Sequence, residues 1–113
     1  LLRKINLTTK LYKMTIEQKE QLVISWAAAR QLFTQSTAEK QLLKTVEELG
    51  ETAKAVLKND LDGIKDGIGD VLVTLIIFAH MNGLSLNECL EAAWNEIKDR
   101  KGSTVNGTFV KEK

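Results

Sequence analysis

The chain lacks proline altogether, so no residue in it is barred from the interior of a helix. Cysteine occurs once, at Cys89. That excludes an intramolecular disulfide and a cysteine-built zinc cage, and its apolar helical surroundings predict a small core residue. Histidine also occurs once, at His80, which removes the Glu-x-x-His ligands of a di-iron bundle and predicts a helix-end or surface role. Charge of one sign is missing too: the formal net charge of +1 gives no global field for nucleic acid or an anionic membrane. No apolar run approaches the ~20 residues that span a bilayer. The opening segment carries Arg3, Lys4, Lys10 and Lys13 without a sustained apolar core, so it does not read as a secretory signal. The cytoplasm is the expected location, where the sequons Asn6-Leu7-Thr8 and Asn106-Gly107-Thr108 carry no meaning.

What the sequence does hold is helix. At 113 residues, with 43% hydrophobic and 27% charged residues, it suits one soluble domain occupying 1–113. Capping boxes at Thr15-x-x-Gln18, Ser36-x-x-Glu39 and Ser85-x-x-Glu88 mark helix starts, and a fourth start falls near Asp60 or Asp62. These signals predict helices over 16–34, 37–58, 61–81 and 86–100, joined so tightly that neighbours run antiparallel. The expected fold is an all-α four-helix bundle over about 16–100. A 101–113 tail follows, in which Asn106-Gly107 between β-formers signals a short hairpin. There is no internal repeat.

Leu42, Val46, Leu49, Ala53, Val56 and Leu57 share one stripe of the second predicted helix, and Glu47, Glu48 and Glu51 project from the other side. The third helix has no polar stripe between Val71 and Ala79. Such a helix is either central or covered by a second subunit, and a four-helix chain of this length has difficulty surrounding it, so a homodimer or homotetramer is expected.

The acidic residues carry the chemistry. Glu48 and Glu51, three apart on a helix, are neighbours, and Asp70 directly precedes the apolar run of the next helix. A charge in apolar surroundings needs a partner. Carboxylates without sulfur or imidazole select hard cations such as Mg²⁺ or Mn²⁺, which bridge protein carboxylates to phosphates. The competing reading is a solvated face paired with Lys44 and Lys54.

Glu47-Glu48-Leu49-Gly50-Glu51 followed by Asp66-Gly67-Ile68-Gly69-Asp70-Val71-Leu72 resembles the MazG-type all-α nucleotide pyrophosphohydrolases, with their Glu-Glu-x-x-Glu and Glu-x-x-Asp motifs on successive helices. The likeness spans about 36–102 and is strongest to the short MazG-like proteins of phages and Gram-positive bacteria. It implies Mg²⁺-dependent attack of water between the α- and β-phosphates of a nucleoside triphosphate, releasing pyrophosphate, in a pool-cleansing or regulatory role. It implies that Glu48, Glu51 and Asp70 are metal ligands and that Glu47 orients or deprotonates water. Lys98 and Arg100, with Asn95 one turn earlier, match the basic stretch that binds substrate; Lys44 is a weaker candidate. One position departs: Gly67 stands where the second motif has its first acid, and Asp66, one residue away, is rotated by ~100°. Asp66 then reaches the ion through water, a second metal is weaker, or catalysis is impaired; the competing function is a non-catalytic nucleotide- or metal-binding module.

The remaining features point to packing. Trp26, Phe33 and Trp94 fall at spacings that suit core or interface. Asp60-Leu61-Asp62-Gly63 lacks the closing acid of a calcium loop, since Val71 occupies that position. Gly67-Ile68-Gly69 follows no strand and lacks the third glycine of a dinucleotide fingerprint. Gly50 weakens a helix interior by ~1 kcal/mol, which close helix packing or room for a ligand would explain.

Overall fold

Side chains that bond back onto the chain decide where the helices begin. In the computed structural model, which describes residues 13–113, the Thr15 hydroxyl accepts from the Gln18 amide at 3.1 Å while Gln18 Oε1 accepts from the Thr15 amide at 2.9 Å. That reciprocal cap opens α1, Ile16–Ala29. The basic opening segment and the first sequon lie outside the described residues. One residue of the expected Ser36 cap is displaced: Thr37 takes the role, accepting from the Lys40 amide at 3.2 Å, and opens α3, Ala38–Leu57. Ser36 instead accepts from Gln41 Nε2 at 3.1 Å. Asp60 caps α4, Leu61–Met81, through the Gly63 amide at 3.0 Å, and the Ser85–Glu88 box opens α5, Leu86–Ile97.

The first predicted helix is interrupted. Gln31 adopts a left-handed φ of 60°, so α1 ends at Ala29 and a single turn, α2, Leu32–Gln35, follows. The break carries no glycine or proline signal; the last turn tightens as the amides of Arg30 and Gln31 bond to carbonyls three residues back. Arg30 then folds over Trp26, 4.3 Å from the ring centroid, and bonds its carbonyl. The last helix stops at Ile97 rather than 100. The hairpin forms as expected. β1, Gly102–Val105, pairs antiparallel with β2, Thr108–Lys111, about a two-residue turn in which Asn106 and Gly107 both have positive φ. With five helices among the described residues and this one small sheet, the fold is all-α with a β-hairpin appendage. Among the described residues, no single helix is long and apolar enough to cross a membrane.

The main packing contact is α3 against α4, and the face α3 offers is not its apolar stripe. Thr45, Glu48, Thr52 and Ala55 recur at helical spacing, with Thr45 and Ala55 buried and Glu48 and Thr52 half-buried. Opposite them stand Gly63, Gly67, Asp70 and Thr74. A Cβ on Gly63 would lie 3.1 Å from Ala55 Cβ, and one on Gly67 would collide with Thr52 Oγ1 and approach its Cβ to 2.9 Å. Two turns on, the Thr45 and Thr74 hydroxyls meet at 2.9 Å. This antiparallel register sets Glu48 opposite Asp70. Small residues let the helices approach closely, and the hydroxyls remain satisfied because Thr45 also reaches the Gln41 carbonyl and Thr74 donates to that of Val71. Thr74→Val should therefore lower the unfolding free energy by only about 1 kcal/mol, since Thr45 keeps a partner. Urea denaturation with an unchanged m-value checks this.

The stripe expected to face the core faces solvent: Leu42, Val46, Leu49 and Val56 are half exposed, and Leu57 is 85% exposed. Helix α4 is central only on part of its circumference. Ile76, Ile77 and Ala79 are buried while Ile68 and Leu72 are exposed. Cys89, expected in the core, is exposed, as is every residue from Asn87 to the end of the chain. Trp26 and Trp94 are also about half exposed, whereas Phe33 packs on His80 at the end of α4, ring centroids 4.6 Å apart.

Candidate functional site

The α3–α4 register turns two separate acidic motifs into one lining. Glu48 and Glu51 from α3 and Asp66 and Asp70 from α4 surround a cleft of about 380 Å³, floored by Gly63, Gly67 and Ala55. Lys54 and Lys58 line the same cleft, together with the capping residue Asp60. Gly67 does here what an acid could not. Its bare Cα lets Thr52 close against α4, and the Thr52 hydroxyl is turned back to the Glu48 carbonyl at 2.8 Å.

Glu48 is the most enclosed acid of the group, its side chain 18% exposed, with Lys44 Nζ 3.7 Å away. Lys44 bonds Glu47 more closely, at 3.4 Å, and the hydrogen bond and charge of Glu47 raise its pKa above the usual lysine value. Glu47 itself is 61% exposed and lies outside the cleft lining. Asp70 is exposed rather than enclosed by apolar side chains, so a desolvation penalty does not set it apart; its position opposite Glu48 does. Among the described residues nothing lies within 4 Å of a Cβ built on Gly50, so close packing between the described helices does not explain it.

The lining fits a magnesium-type ion by chemistry: five carboxylates, of which Asp60 is engaged in capping α4, with no sulfur and no imidazole. Among the described residues, no three such side chains are already drawn together into a cage. Mutual repulsion of uncompensated carboxylates favours that spread arrangement.

On its other side the Glu48–Asp70 layer opens into a second cleft of about 480 Å³. Trp26, Leu32, Val73 and Ile77 make its walls, with Gln41, Lys40 and Lys44 at the polar rim. Glu48 and Asp70 thus stand between an acidic cleft and an apolar one. Asn95, Lys98 and Arg100 line neither: they sit exposed along and just beyond α5. The sequence reading missed Lys54 and Lys58. Their signal was available, since they follow Glu51 by one and two turns on the same helix, but a pairing with Glu51 accounted for Lys54.

Residues 36–104 match the family model of the MazG nucleotide pyrophosphohydrolase domain. A protein of Haemophilus phage HP1 (strain HP1c1), described as an uncharacterized 18.2 kDa protein in the rep-hol intergenic region, is 42% identical over 67 residues. The match takes in 59% of this chain and 41% of that protein, so the chain spans about two fifths of its relative's length. No solved structure matches the chain.

Proposed function

Because the chain belongs to the MazG nucleotide pyrophosphohydrolase family, we propose that it hydrolyses nucleoside triphosphates to the monophosphate and pyrophosphate, with Mg²⁺ or Mn²⁺ as cofactor. The observation that carries this reading is the convergence of Glu48, Glu51, Asp66 and Asp70 on one cleft beside Lys54 and Lys58. Glu48, Glu51 and Asp70 would hold the cation, with Asp66 reaching it through water. A divalent ion held there would neutralise phosphate oxygens and acidify a water molecule. Lys54 and Lys58 bind the charge that remains on the phosphates. Glu47, paired with Lys44 at 3.4 Å beside the cleft, is the candidate for taking a proton from water. The nucleoside end lies in the adjoining apolar cleft, against Trp26, Val73 and Ile77. The exposed apolar faces of α3, α4 and α5 support a homo-oligomer as the working form.

A panel of ribo- and deoxynucleoside triphosphates with Mg²⁺ or Mn²⁺, assayed for products, tests the reading. Monophosphate and pyrophosphate should appear in equal amounts and vanish with a chelator. Release of orthophosphate instead would overturn it. A second reading, a module that binds nucleotide or metal without turnover, rests on Gly67; binding without product in the same panel would establish it.

A further inference from the structure

Among the described residues, the apolar cleft has one uncharged polar side chain left to bond a guest. Lys40 and Lys44 on its rim carry charge, and Glu48 and Asp70 are shared with the acidic cleft. Thr74 has its hydroxyl engaged with Thr45 and with the Val71 carbonyl, both at 2.9 Å. Gln41 remains. It is half-buried, and its side-chain amide makes one bond among the described residues, from Nε2 to Ser36 Oγ at 3.1 Å.

That bond decides which end of the amide meets the cleft. Ser36 lies outside the cleft lining. It is released from capping α3 because Thr37 takes that role, and its own amide donates to the Leu32 carbonyl at 2.9 Å, at the end of the single turn α2. The left-handed Gln31 starts this turn, which puts Leu32 in the cleft wall and Ser36 outside it. With Nε2 drawn to Ser36, the carbonyl Oε1 of Gln41 is the end left to the cleft. A carbonyl oxygen only accepts. Covered by a guest with no N–H in reach, it loses water and gains no partner, so such a guest is rejected.

Two further features identify the guest. Glu48 and Asp70 line both clefts, so a nucleotide whose phosphates lie at the acids has its base here. Trp26 supplies a flat wall: Arg30 covers the indole, 4.3 Å from the ring centroid, but does not line the cleft, so the ring meets the cleft on the side Arg30 leaves free. Held by its phosphates and stacked on that ring, a base is not free to exchange its donor edge for an acceptor.

We infer that Gln41, oriented by Ser36, reads the base by accepting at Oε1 from an exocyclic amino group, so that adenine and cytosine nucleotides are preferred to their hypoxanthine and uracil counterparts. An oxo group in the place of the amino group would set two acceptor oxygens against each other. The inference rests on the pyrophosphohydrolase reading for turnover, but not for binding. In the parent, kcat/KM for the triphosphate of adenosine over that of inosine, and of cytidine over uridine, should be about tenfold or more. Gln41→Met keeps the volume and the helix preference but removes the acceptor; it should bring both ratios near one through KM, with kcat little changed. Ser36→Ala, which lets the amide turn, should lower them part of the way. A parent that takes the oxo bases as well or better, or ratios that persist in Gln41→Met, overturns the inference.

Inactivity of the parent on every triphosphate would sink the hydrolase reading alone, because binding decides the base preference without turnover. The chain has two tryptophans, so in a Trp94→Phe background the indole fluorescence is that of Trp26. The four nucleoside monophosphates offer no anhydride to hydrolyse. Adenosine and cytidine monophosphates should perturb that signal at about tenfold lower concentration than inosine and uridine monophosphates, and Gln41→Met should remove the difference. An equal response to all four in the parent, or no response to any, overturns the assignment of Gln41.

Discussion

Replacing Glu48 by Gln, or Asp70 by Asn, should lower metal-dependent pyrophosphate release by roughly 100-fold or more, about 2.7 kcal/mol of barrier, without altering helix content. Both substitutions keep volume and remove charge. Glu48 is the acid for which this isolates the chemistry best. Its side chain is mostly enclosed, yet its ion pair with Lys44 is the longer and weaker of that lysine's two. Surface pairs of this kind contribute at most about 1 kcal/mol to stability, so the amide should fold like the parent. Asp62→Asn is the matched control, on the same helix as Asp70 but outside the cleft lining; it should leave the rate unchanged. Circular dichroism and a product assay on the three variants decide the assignment. Wild-type rates in both Glu48→Gln and Asp70→Asn would remove these acids from the site.

The sequence disclosed the helices because their ends are written in local chemistry. Thr15–Gln18, Asp60 and Ser85–Glu88 act within four residues, and Asn106-Gly107 determines a hairpin turn by itself. The acids Glu48, Glu51, Asp66 and Asp70 are legible as two short motifs for a similar reason, and the fold brings them to one cleft. What the sequence hid was which face of α3 turns inward. Hydrophobic periodicity points to Leu42, Val46 and Leu49, and in a lone globular chain that stripe would be the core. Here α3 turns Thr45, Glu48, Thr52 and Ala55 to α4, and only the glycines and threonine of the facing helix reveal it. The stripe that periodicity marks is exposed on α3, as Leu90 and Trp94 are on α5. The break at Gln31 was illegible because no proline or glycine announces it.

Gly67→Glu, which restores the acid of the second motif, should destabilise the protein by about 3 kcal/mol and bring no gain in rate. Position 67 is buried, and a Cβ there meets both Oγ1 and Cβ of Thr52. The two helices must separate, or Thr52 must leave its bond to the Glu48 carbonyl, and either movement shifts the backbone that carries Glu48. For a domain of this size, such a loss lowers the melting temperature by about 10 °C or more. Thermal unfolding measures it directly. Thr52→Ala is not an adequate companion, because its Cβ remains 2.9 Å from the new one; Thr52→Gly clears the contact, so Thr52→Gly/Gly67→Glu should regain part of the lost stability despite the helix penalty of a second glycine. Only in that background does the rate report on the acid itself. An increase there would show that the cleft of Glu48, Glu51, Asp66 and Asp70 is one ligand short. An unchanged rate would show that Asp66 already supplies what Gly67 lacks. A melting temperature equal to the parent's in Gly67→Glu alone would contradict the close α3–α4 approach on which the geometry of the cleft depends.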